Sequence, residues 1–201
     1  MRLALMIFAA VAILAATGCQ SRISGSGAAP MLAQTPVMAQ PPAARDASEI
    51  KIVSADGKKV IRHDAQAARL INAYRAKNRL GPVRVNEMLT RAAIAHAREI
   101  SSTEVISHYG ANGNDPAQRV RLTGYRFVSI GENISAGRPK LSAVIKAWIA
   151  SPSHEVNLVL SPAVDFGLAH VVAKGSKYTD YWVLVIGAPG KRSPLQMRIG
   201  G

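Results

Sequence analysis

The sequence predicts an α+β domain in which helices cover an antiparallel sheet. Three observations carry that reading. Segments with helical apolar spacing occupy the first part of the chain beyond residue 64. The apolar runs Phe166–Val172 and Tyr181–Gly187, joined through Lys174-Gly175-Ser176, then read as two strands and a turn. Helices come first and a hairpin last, which is not the alternation of a parallel α/β fold.

Taken from the amino terminus, Met1-Arg2 precedes an apolar run from Leu3 to Ala16 and then Thr17-Gly18-Cys19. A positive start, an apolar stretch too short for a comfortable membrane span and small residues before a cut describe a signal peptide over residues 1–18. Cys19 is the single cysteine of the 201 residues, so a disulfide within one chain is ruled out, as is a cysteine metal cluster. Ala16-Thr17-Gly18-Cys19 resembles a bacterial lipobox, which makes Cys19 the expected lipid-attachment residue and a membrane the expected partner. Acyl chains contribute about 0.8 kcal/mol per buried methylene, so two or three would hold the protein firmly. Residues 19–48 are rich in Ala, Ser, Gly, Gln and Pro and read as a flexible tether. Export to a cell envelope follows, with the outer membrane as the expected site in a two-membrane organism because Gln20 follows the cysteine.

Residues 49–63 alternate briefly around Ala55-Asp56-Gly57 and read as a small hairpin or edge extension. Asp64 is the expected N-cap of a helix whose apolar stripe is Ala67, Leu70, Ile71 and Tyr74, with Arg69, Arg75 and Lys77 mostly off the stripe. Gly81-Pro82 stops it. Asn86 is placed to cap a second helix carrying Leu89, Ala93, His96 and Ile100 on one face, where His96 reads as a core side chain. Asp115-Pro116 opens a short third helix through Arg121, and Leu141–Ala150 forms a fourth, ending before Ser151-Pro152. The compact domain spans 64–190, and residues 191–201 form a basic tail.

The net charge of +13 is spread along the chain, with only three Phe and two Trp available to stack on bases. That excludes a nucleic-acid binder with a basic stripe or groove-reading motif and favours an anionic envelope surface as long-range partner.

Five short motifs recur in order: Ser107-His108, Gly131-Glu132-Asn133-Ile134, Trp148 with Ser151-Pro152-Ser153-His154 and Asn157, Phe166-Gly167, and Tyr181-Trp182 with Ile186-Gly187. In this order the chain resembles the CAP superfamily, also called SCP-like, in its short bacterial, disulfide-free form. The resemblance covers about Asp64 to Pro189. It implies a three-layer α-β-α sandwich with an antiparallel central sheet and a cleft. In that family two His and two Glu hold a divalent metal, often zinc. His108, Glu132 and His154 match three of these four, Ser151 stands where the second Glu would fall, and Glu155 is not a replacement. Asn133, Trp148 and Ser151 are the expected supports of the cleft. Two imidazoles and a carboxylate suit zinc and leave room for a water. The resemblance therefore implies a binding module for a small apolar, lipid or peptide ligand, with a metal-dependent hydrolase of envelope substrates as the alternative. No separate general base or nucleophile is evident beside Glu132, since neighbours such as Ser151 and His154 rarely make a productive pair.

Overall fold

The computed structural model describes residues 51–53 and 57–190. The signal-like segment, the tether with Cys19 and the basic tail lie outside the described residues. Within them the order is β1 (Lys51–Val53), β2 (Lys59–Ile61), α1 (Asp64–Lys77), β3 (Arg84–Val85), α2 (Glu87–Thr103), α3 (Pro116–Leu122), β4 (Phe127–Ala136), α4 (Leu141–Ile149), α5 (Pro152–Leu158), β5 (Asp165–Val172) and β6 (Asp180–Pro189).

The sheet runs β1-β2-β5-β6-β4, antiparallel throughout, with the short β3 added parallel to the start of β5. Its centre is the predicted hairpin β5–β6, paired from Asp165↔Gly187 to Val172↔Asp180. Successive side chains of a strand point to opposite faces. Tyr181, Val183 and Val185 accordingly join α2, α3 and Val171 in one core, while Trp182, Leu184 and Ile186 join α1, α4 and α5 in the other. Both faces of β6 are buried, which is why its sequence is a continuous apolar run and not an alternation. The result is the three-layer sandwich: α2 and α3, the sheet, then α1, α4 and α5.

Gly167 permits the first of these contacts. A Cβ there would stand 2.1 Å from the Thr90 nitrogen, so α2 lies directly on the β5 backbone.

Local signals act largely as read. Asn86 Oδ1 accepts from the Met88 and Leu89 amides at the start of α2. Asp115 and Gln118 close a reciprocal capping box on α3, with Pro116 in its first turn. Three details differ from expectation. His63, not Asp64, occupies the N-cap of α1, and Asp64 is instead the first-turn acid. Arg75 is 0% exposed instead of lying off the stripe. Its guanidinium donates to the carbonyls of Gly81, Leu158, Leu160 and Ala163, which tie α1 to the loops around α5. Burial pushes its pKa down. The third difference is β4, a ten-residue strand where the sequence suggested only a lead into the Gly-Glu-Asn stretch.

Candidate functional site

That strand decides how the predicted site residues are distributed. Glu132 pairs across to Val185 and Asn133 to Leu184. Val185 belongs to the α2 side of the sheet and Leu184 to the α1/α4/α5 side. Glu132 therefore faces α2 and α3, and its neighbours Gly131 and Asn133 face α5.

On the first side Glu132 is nearly enclosed, its side chain 3% exposed. His108 Nδ1 donates to Oε1 at 2.8 Å from the loop after α2. Arg119 Nη2, from α3, lies 2.8 Å from Oε2 and 3.1 Å from Oε1. The same guanidinium donates to the carbonyls of Asn114 and His108. Arg119 thus neutralises the carboxylate and fixes the His108 loop together. His96 is a buried core side chain as expected, bonded to the Ser107 carbonyl and to Glu99, with Nε2 at 3.9 Å from Glu132 Oε1.

On the second side a ladder of amides holds α5. Asn157 Nδ2 donates to the Glu132 carbonyl and to Asn133 Oδ1, and Asn133 Nδ2 donates to the His154 carbonyl. Gly131 is needed for this ladder, because a Cβ would stand 2.4 Å from Asn157 Oδ1. Trp148, buried on α4, donates from Nε1 to the Ile134 carbonyl and closes the end of the strand. Ser151 occupies the N-cap of α5, yet its hydroxyl meets His154 Nδ1 at 2.9 Å and not a backbone amide. Burial, and then the nearby His108, depress the pKa of His154, so its ring is held neutral.

His108 and Glu132 are therefore in direct contact, while His154 meets Ser151 and is tied to the motif through its backbone. Among the described residues no group of three or more His, Cys, Asp or Glu side chains is placed to hold a metal ion. Both carboxylate oxygens of Glu132 already carry the Arg119 guanidinium, so the donor set as arranged does not fit a zinc centre.

Beside these residues a cleft of about 490 Å³ wraps the edge of β4. Ile134, Trp148 and Ala147 line it, with Ile106 and Tyr178 across the opening and His154 and Arg138 at its polar rim. Arg119, Tyr178 and Arg138 are parts of the site that the sequence reading did not single out. Only their position in space marks them, since their spacing is that of ordinary solvated residues.

The model of the cysteine-rich secretory protein family, CAP, matches residues 68–186. The chain belongs to that family. Among individual proteins, it is 28% identical over 131 residues to the uncharacterized protein YkwD of Bacillus subtilis strain 168. That match takes in 65% of this chain and 48% of the relative, so the chain spans about half the length of the curated relative it matches. Its fold is similar to that of an outer surface protein of Borrelia burgdorferi, with TM-score 0.58 and 22% identity over 71% of this chain and 99% of that one. An extracellular SCP-domain protein of Bacillus anthracis gives TM-score 0.54 and 20% identity over 61% of this chain and 39% of that one. At these identities the two structures speak for the CAP sandwich alone.

Proposed function

We propose that this CAP protein is an exported, lipid-anchored binding module of the cell envelope, taking a small apolar or lipid ligand in the cleft beside β4. The observation that carries the reading is the pairing of Glu132 with Arg119. A carboxylate held by a buried guanidinium is a poor general base and a poor metal ligand, which favours a binding role for the cleft beside β4. The Ser151–His154 contact does not restore the hydrolase reading, because no carboxylate bonds His154 to orient it among the described residues. Ile106 and Tyr178 at the opening, with Trp148 and Ile134 beneath, suit an apolar body, and Arg138 suits an acidic head. Val105 and Tyr109, in the same loop as Ile106, are exposed as well.

Anchoring rests on the Ala16-Thr17-Gly18-Cys19 motif. Names given to proteins of similar fold, outer surface in one case and extracellular in the other, agree with export.

Fluorescence titration with cis-parinaric acid tests the cleft. Binding should be saturable and should weaken at least about tenfold in Tyr178→Ala and in Ile106→Asp, the loss expected when a desolvated anchor is removed. Equal binding by both variants would refute the assignment. Replacing Cys19 by Ser should move the protein out of the membrane fraction, and retention there would refute the anchor.

A further inference from the structure

A second cavity, of about 600 Å³, opens on the far side of Arg119 between α2 and α3, apart from the cleft beside β4. Its apolar wall is Ala92, Ala95 and Leu122. Leu122 is 79% exposed, a large apolar side chain left open to solvent in the lining of this cavity. Arg91 and Arg98 line the same cavity from one face of α2, two turns apart at i and i+7.

The charges around it do not cancel. Glu99 also lines the cavity, but its carboxylate is spent on the Ala111 amide at 2.6 Å and on His96 at 3.2 Å. Arg119 is spent on Glu132. Arg91 donates to the Thr123 carbonyl, a neutral acceptor. Glu87 feels the charge of Arg91 but accepts its hydrogen bonds from Arg62. Arg98 Nε is shielded from solvent and has no hydrogen-bond partner, and neither Arg91 nor Arg98 has an ion pair among the described residues. A shielded guanidinium nitrogen without an acceptor costs free energy that an incoming anion would recover.

The geometry points to a second binding site, between α2 and α3, for a phosphate-ester anion gripped by Arg91 and Arg98, with an apolar portion lying on Ala95 and Leu122. Phosphate fits better than a single carboxylate because two guanidinium forks face one cavity and each matches two phosphate oxygens. The head group of an anionic phospholipid and a small soluble phosphate ester share this chemistry. The site is independent of the cleft beside β4, so either assignment can fail without the other.

The test uses the full chain carrying Cys19→Ser, titrated in solution with monomeric dihexanoyl phosphatidylglycerol, with glycerol 3-phosphate and with dihexanoyl phosphatidylcholine, and followed by amide chemical shifts. Phosphatidylglycerol should bind saturably and move the amides of Ala95, Leu122 and Thr123 while leaving the Trp148 indole in place. The double change Arg91→Gln with Arg98→Gln should weaken it at least about tenfold, as expected for loss of charge-assisted bonds. Should that variant not fold, Arg91→Gln alone, at an exposed position, should still weaken binding severalfold. If glycerol 3-phosphate binds as tightly, the occupant is a soluble phosphate ester. If it binds at least tenfold more weakly and Leu122→Ser abolishes the difference, the occupant is a lipid. Absence of saturable binding, equal binding of phosphatidylcholine, or unchanged binding by the arginine variants would each overturn the site.

Discussion

Two buried arginines, one in each helical layer, show how the same side chain serves the scaffold and the site. Arg75 on α1 has only carbonyl partners, four of them, and stands far along the chain from any of the family motifs. Arg119 on α3 has two carbonyl partners and a carboxylate, that of Glu132. Arg75 satisfies backbone acceptors that a loop and a helix end leave open, which stabilises the fold without creating a polar function. Arg119 cancels the charge of a carboxylate that is nearly enclosed in the fold. A buried cation is therefore informative about function only through the acceptor it has chosen.

The contrast can be broken first at Arg75. Arg75→Ala removes donors from four carbonyls and leaves a cavity, and should cost on the order of 5 kcal/mol of stability, since each orphaned buried acceptor costs about 1–3 kcal/mol. Urea unfolding measures it, and a loss below about 2 kcal/mol would show that water replaces the guanidinium at little cost.

Arg119→Ala should cost somewhat less, about 3–4 kcal/mol, because it strands the Glu132 charge. Adding Glu132→Gln should recover a substantial part of that loss. A double-mutant cycle with a coupling of about 2 kcal/mol would confirm the pair, and additive effects would dissolve it. Arg75 has no carboxylate partner among the described residues, so no second substitution should rescue it in this way.

The smallest effect is a pH dependence at His154. Its pKa is depressed in the folded state by burial and by His108, so the unfolded chain binds the proton more readily. The contribution to stability is then complete above the unfolded value of about 6.5 and is lost as pH falls from there through the folded value. An NMR titration should place the His154 midpoint below 6.5, and His108→Ala should move it upward by relieving the charge. A midpoint at or above 6.5 would show that this ring does not stay neutral as described.

Much of the scaffold was legible in the residues themselves. The caps Asn86 and Asp115, the strand character of 166–172 and 181–187 and the core position of His96 follow from local chemistry and spacing. What escaped was non-local. The stretch from Phe127 to Ala136 mixes Gly, Glu, Asn and Ser with apolar residues, so its strand character comes from pairing with β6 and not from its own alternation. Missing that strand hid the parity that turns Glu132 and Asn133 to opposite faces. Arg75 and Arg119 escaped for a related reason, because an arginine on a helix is ordinarily a solvated side chain and only its tertiary acceptors say otherwise. Within the predicted site, Trp148 donates to the Ile134 carbonyl and Asn133 to the His154 carbonyl, while Ser151 Oγ meets the His154 ring, contacts that spacing along the chain does not reveal.

The most direct test of the central claim, that Arg119 is the resident counter-ion of Glu132, is calorimetric titration of the purified chain with zinc near neutral pH. No stoichiometric uptake is expected at micromolar metal, with the Arg119 side-chain Nε–H signal unmoved. One zinc bound per chain, lost in both His108→Ala and His154→Ala and accompanied by release of the Arg119 signal, would contradict it.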